Sequence, residues 1–330
     1  MSGMSKVERL RAAISGEPVD RPPVALWRHF PGDDYRAADL AAATVRFQRE
    51  YDFDFVKVTP ASSFCLQDWG SRDRWVGTLE GTREYTQHPI QSPDDWLKLK
   101  PLDPTAGALG EQLRCLHLIN AELPGDVPFI QTIFNPLSQA KNLVGRERLL
   151  VHLRRYPDAL GAGLKVIAET TIRFIEAARE TGIAGLFYAV QHAQYGLLSE
   201  EEYLTFGRSC DLAVLEAAQG LWLNVLHLHG RDVMFDPLAD YPVQVVNWHD
   251  RETVPSLAAG LQRFDGAVCG GLQRWEVIVR GTPAQVREQA ADSIAQTGGR
   301  RFILGTGCVT PIAAPWSNIR AVREAVEMEG

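Results

Sequence analysis

The 330-residue chain has no apolar stretch approaching the roughly 20 residues that a membrane-spanning helix requires. It has no run of lysine or arginine, and 34 basic against 41 acidic residues leave a net charge of −7. That balance argues against a nucleic-acid partner and against an anionic membrane surface. Cysteine is sparse, odd in number and scattered (Cys65, Cys115, Cys210, Cys269, Cys308). Such usage fits the reduced thiols of a cytoplasmic protein better than a disulfide framework. The opening MSGMSKVERLRAAISG contains no apolar signal core. No GxGxxG follows a strand-like run, no P-loop is present, and no repeat, low-complexity tract or linker divides the chain. What is there, 45% hydrophobic and 23% charged residues, is the composition of a globular chain long enough to fold without disulfides. The expectation is a cytoplasmic enzyme or binding protein for a small molecule, with a homodimer left open.

What recurs is an apolar, β-rich run followed by a helical pattern. The eight runs are PPVALW (22–27), FDFVKVTP (53–60), VPFIQTIF (127–134), AGLFYAV (184–190), WLNVLHLHG (222–230), VQVVNWHD (243–250), GAVCGGL (266–272) and RFILGTGC (301–308). Several are almost continuously apolar, as strands buried on both faces of a parallel sheet are. Between them, Ser5 with Glu8, Ser199 with Glu202, and Thr282-Pro283 with Gln285 have the spacing of helix starts. Eight strand–helix units predict an α/β chain folded as a single (β/α)8 TIM barrel, one domain over 1–330. The stretch 61–126, between the second and third runs, departs from the pattern. It reads as an insertion over the barrel mouth, with a hairpin at 75–87 and a helix near 107–122.

Catalytic groups of such barrels come from the carboxyl ends of the strands. Those ends carry Arg28 and His29, Lys57 and Thr59, Asn135, Gln191 and His192, His227 and His229, Asn247, His249 and Asp250, Cys269, and Thr306 and Cys308. Five of the eight histidines fall there, which places a site at the mouth. In His227-Leu228-His229 the two imidazoles are two residues apart on a strand, so they point to one side. With Cys308, in the small-residue turn Gly305-Thr306-Gly307, they make a chemically sensible zinc site of three protein ligands and one open position. An isolated His-x-His is more often a pair of hydrogen-bonded or core histidines, and Cys269 reads as buried filler. Lys57 in an apolar strand needs an anion, either Asp54 in an ion pair or a substrate carboxylate. His249 and Asp250 read as an acid/base with its orienter, or as the polar cap of their run. The glycines at 270–271 and 305–307 suit a phosphate, or tight turns.

Taken together, these blocks resemble the uroporphyrinogen decarboxylase superfamily. The likeness runs through VERLRAAISGEPVDRPPVALWR (7–28), DFVKVTP (54–60), FIQTIFNPLSQA (129–140), GLLSEEEYLTFG (196–207), GGLQRWEVIVRGTPAQVREQA (270–290) and GTGCVTPIAAPWSNIRAVREA (305–325). That superfamily has a (β/α)8 barrel and includes zinc-dependent methyltransferases that carry methyl groups from corrinoid proteins to thiols. In that branch the zinc ligands are a His-x-Cys and a late Cys. The resemblance therefore implies a Zn2+ site at His227, His229 and Cys308, with His229 standing where the branch has cysteine. It also implies a corrinoid supplied by a separate partner protein, since this chain has no Asp-x-His-x-x-Gly. Two imidazoles and one thiolate leave a dication at +1 rather than neutral, which makes it a stronger Lewis acid.

The decarboxylase branch is matched less well. Its acid at the second strand falls at Pro60 or Ala61, its last-turn histidine at Thr306, and its Asn-Leu-Asp at Gly271-Leu272-Gln273. The expectation is a methyltransferase with His227, His229 and Cys308 on the metal and His249, Asp250 and His192 in catalysis. Arg28, Lys57, Asn135, Gln191 and Asn247 would bind an anionic substrate. A metal-free decarboxylase, a metal-assisted hydrolase or lyase, and a non-catalytic binding barrel are the alternatives.

Overall fold

The computed structural model describes residues 3–327. Its strands are β1 Val56–Val58, β2 Arg72–Trp75, β3 Arg83–Gln87, β4 Phe129–Phe134, β5 Gly185–Val190, β6 Val225–Leu228, β7 Val245–Trp248, β8 Ala267–Leu272 and β9 Phe302–Thr306. All but β2 and β3 form one parallel sheet in the order β1-β4-β5-β6-β7-β8-β9. Every residue of these seven strands is buried, because helices cover the outside and side chains fill the inside. The predicted helix starts are real: Ser5, Ser199 and Thr282 each close a reciprocal capping box with the residue three further on.

Seven of the eight expected runs become strands, and the first does not. Pro22 and Pro23 have no N–H to give a ladder, so 22–27 pairs only through an isolated bridge between Val24 and Leu304. That bridge still closes the barrel. Leu304 N–H donates to Pro23 O at 2.8 Å, Ala25 N–H to Leu304 O at 3.0 Å, and Asp54 N–H to Val24 O at 2.9 Å, so the segment sits between β9 and the approach to β1. A buried ion cluster pins it: the Asp54 carboxylate accepts from Val24 N–H (2.8 Å), Arg9 Nη1 (2.7 Å) and Arg21 Nη1 (2.8 Å).

Within 61–126, the hairpin pairs β2 with β3, starting three residues earlier than the sequence suggested, and a helix spans Gly107–Glu122. The hairpin tip reaches the carboxyl ends of the barrel strands. Ile312 N–H donates to Leu79 O at 2.8 Å, and Glu80 pairs with the buried Arg274 at 2.9 Å. Gly81 lies so close to His29 that an added Cβ would stand 2.6 Å from that residue's Cβ. Among the described residues no helix is long and apolar enough to cross a membrane.

Candidate metal centre

Four residues at the carboxyl ends of β6, β7 and β9 converge. One ligand atom each from His227, His229, His249 and Cys308 lies within 4.8 Å of every other. Alternation along β6 brings His227 and His229 to one side, as their spacing predicted. Parallel pairing then sets His227 beside Asn247 in β7, whose next turn carries His249. The turn after β9 delivers the sulfur. A Cβ on Gly307 would meet Trp248 O at 2.6 Å and the His249 Cα at 2.7 Å, so only glycine lets Cys308 come this near.

The donor chemistry fits a divalent ion. The Asn247 amide nitrogen donates to Cys269 O (2.8 Å) and Thr306 O (3.1 Å), so its oxygen accepts from His227 Nδ1 at 2.7 Å. This fixes the proton on Nδ1 and leaves the Nε2 lone pair free for a ligand bond. His249 Nδ1 faces Glu252 at 3.7 Å, and its Nε2 is buried without any partner. Cys308 Sγ is 3.6 Å from His229 Nδ1. Burial alone would raise the Cys308 thiol, but the imidazoles, His227 foremost, bring it well below its ordinary value. His249 is held at about 9: burial opposes its charge, and the nearby Cys308 thiolate and Glu252 carboxylate outweigh that. The thiolate and the imidazole lone pairs are donors a divalent cation would take, with release of the proton held on the imidazole.

The remaining expected site residues divide. Lys57 points into the same interior: its ammonium lies 4.6 Å from the Phe187 ring centroid, and that ring stacks on His227. Asp54 is not its partner, being taken by Arg9, Arg21 and Val24. Its hydrogen bond is to Thr59 Oγ1 at 3.3 Å, no carboxylate pairs with it among the described residues, and burial pulls it down to about 7. Arg28 is half-buried and likewise without an acid, making only long contacts of 3.4 Å to His29 O and Ile312 O. His192 is buried with an unpartnered Nδ1, and Gln191 accepts from Lys141 Nζ at 3.0 Å.

Three expectations are corrected. Asn135 is not free for a substrate: it caps the helix Pro136–Val144 through Ser138, and its amide donates to Asp211 at 3.0 Å. Asn247 is wholly engaged in positioning His227 and has no donor left for a ligand. Asp250 does not orient the His249 ring, since its carboxylate accepts from Gly271 N–H at 3.1 Å, and Glu252 takes that place. The same bond occupies the Gly271 N–H, so the glycine pair does not offer it to a phosphate. Sequence reasoning also missed His249 as a member of the cluster; its position at a strand end, like the other histidines, was the available signal.

A closed parallel barrel with a histidine–cysteine cluster at the carboxyl ends of its strands defines an α/β barrel with a candidate metal-binding mouth. Residues 5–328 match the uroporphyrinogen decarboxylase (URO-D) family, and the chain belongs to it. A methyltransferase from Methanosarcina mazei has a similar structure, with a TM-score of 0.83 at 18% identity over 98% of both chains. A B12-independent methionine synthase from Shewanella sp. W3-18-1, solved with selenomethionine, has a TM-score of 0.60 at 11% identity over 96% of both chains. At these identities the likeness is one of fold. No curated protein is a significant sequence match.

Proposed function

We propose that this chain is a zinc-dependent methyltransferase that passes a methyl group from a corrinoid protein to an anionic thiol-type acceptor. The observation that carries the reading is the convergence of His227, His229, His249 and Cys308 within 4.8 Å. The similarity to a methyltransferase fold supports it without naming the reaction. His227, His229 and Cys308 would hold the ion, whose chemistry is to withdraw charge from a bound acceptor and so favour its deprotonated, nucleophilic form.

The chain's own groups do the rest. Asn247 keeps His227 in the tautomer that presents Nε2. The Cys308 thiolate and Glu252 hold a proton on His249; with that thiolate committed to an ion, the imidazole, backed by Glu252, would be free to accept the acceptor's proton at its buried Nε2. Lys57 and Arg28, which have no carboxylate partner among the described residues, bind the acceptor's negative tail. Glu80 and Arg274 hold the hairpin tip over the mouth and limit water there. The corrinoid belongs to a separate partner protein.

Metal content of reduced protein purified without an affinity tag tests the reading. One divalent ion per chain is expected, lost in both His227→Ala and Cys308→Ala. Absence of stoichiometric metal in the folded wild type overturns it.

A further inference from the structure

Beside the metal cluster lies a second group of cations that neither the ligand set nor the Lys57 anchor uses. Lys141 projects from the helix Pro136–Val144 and reaches only the neutral Gln191 Oε1, at 3.0 Å. Arg146 opens the following helix, Arg146–Arg155, and no acid pairs with it among the described residues. His192, next in sequence to Gln191, is 4% exposed, and its Nδ1 has no hydrogen-bond partner. Burial first, and then the charges of Lys141, Arg146 and His229, disfavour a proton on the His192 ring. A largely covered ammonium whose only partner is an amide oxygen, beside an orphaned buried imidazole, is costly unless a ligand completes it, and the exposed Arg146 adds charge at the rim.

We infer that Lys141, Arg146, Gln191 and His192 form an oxyanion subsite that holds an acidic group of the substrate on the β4–β5 side of the metal cluster. This deepens the proposed methyl transfer, on which its placement beside an acceptor rests. With Lys57 on β1, it gives the substrate two negatively charged ends, one on either side of the reacting centre. The ligand chemistry is a carboxylate or a phosphate-like group, and Gln191 supplies a neutral donor once Lys141 turns to the anion.

Ring-nitrogen NMR of His192, in protein with labelled histidine, tests this with acetate in one arm and inorganic phosphate in the other. A saturable shift of the His192 nitrogens by either anion is expected, and the arm that saturates lower names the acid. Lys141→Met and Arg146→Gln should each weaken binding at least tenfold, while Lys165→Met, on an exposed helix face, should leave it within twofold. No saturable shift, or saturation unchanged in both Lys141→Met and Arg146→Gln with their folds intact by circular dichroism, overturns the subsite. Metal content measured on the same samples separates the two ideas. Anion binding in metal-free protein keeps the subsite and sinks the metal reading, and metal without anion binding does the reverse.

Discussion

Replacing Lys57 by methionine should make the protein more stable and abolish its use of an anionic substrate. Lys57 is 7% exposed, has one hydrogen bond, to a threonine hydroxyl, and has no carboxylate within ion-pair distance among the described residues. Burial lowers it from 10.5 to about 7. In the unfolded chain the amine is protonated up to its ordinary value, so between pH 7 and 10.5 the unfolded state binds more protons than the folded one. A depressed lysine therefore favours folding above 10.5 and loses that contribution as pH falls toward 7. At pH 7 the loss is about 3 pH units of proton affinity, or ~4 kcal/mol, as an upper bound. Methionine fills similar volume with no charge to desolvate. Urea unfolding of Lys57→Met and wild type at pH 7, 8, 9 and 10 should show a gap that is widest at pH 7 and closes as pH rises. Substrate-analogue binding should fall in the same variant. A gap absent at pH 7, or one that widens toward pH 10, would refute the claim that this ammonium is buried without a partner.

Other substitutions probe the rest of the framework. His29 and His192 are both pressed down to about 3, chiefly by burial, so each is neutral when folded and protonates only on unfolding below 6.5. Their contribution to stability is present above 6.5 and falls by roughly 1.4 kcal/mol per pH unit per histidine below it. Urea unfolding at pH 6.5 and 4.5 should therefore show wild type losing about 5 kcal/mol more than His29→Gln/His192→Gln; equal slopes would count against neutral burial. Asn247→Leu should weaken metal binding roughly 10- to 100-fold in competition with a chromophoric chelator, because His227 loses the acceptor that fixes its tautomer. Unchanged affinity would show the amide to be a bystander. Arg9→Leu leaves the fully buried Asp54 short of one partner and should cost roughly 3–5 kcal/mol in urea unfolding. His249→Gln should retain the metal while losing one ionisation from the pH–rate profile; loss of metal instead would make His249 a ligand rather than a proton acceptor.

The barrel was legible because burial on both faces writes itself as unbroken apolar runs, and seven of those runs are strands. The first run misled only in degree. Two prolines keep the apolar character of a strand while removing the N–H groups that would register one, and the segment is held instead by Asp54. The His-x-His pair and the late cysteine were legible because strand alternation and small-residue turns are local rules. His249 as a fourth member was not. Its approach depends on Gly307 backing against β7, a contact between residues 58 apart in sequence. Asn135 and Asn247 failed as substrate binders for a common reason. A strand-end amide looks the same whether it meets solvent or carbonyls, and only the neighbouring strands decide which.

The charge around the centre narrows what can react there. In the proposed reading, a dication held by His227, His229 and Cys308 would carry one net positive charge, because His229 stands where a second thiolate would neutralise it. Arg28, Lys141 and the protonated form of Lys57 add covered cations that no side-chain carboxylate pairs with among the described residues, and Arg146 adds one at the exposed rim. The nearby carboxylates are already committed: Glu252 to His249, Asp250 to the Gly271 N–H, and Glu80 to Arg274. A neutral acceptor entering this mouth would leave that positive charge uncompensated in a largely buried space, whereas an anionic one offsets it on binding. The same field favours the deprotonated form of the acceptor's nucleophile over its conjugate acid. Binding and activation therefore draw on one electrostatic source, and a negatively charged tail is part of how the nucleophile is made as well as how it is recognised.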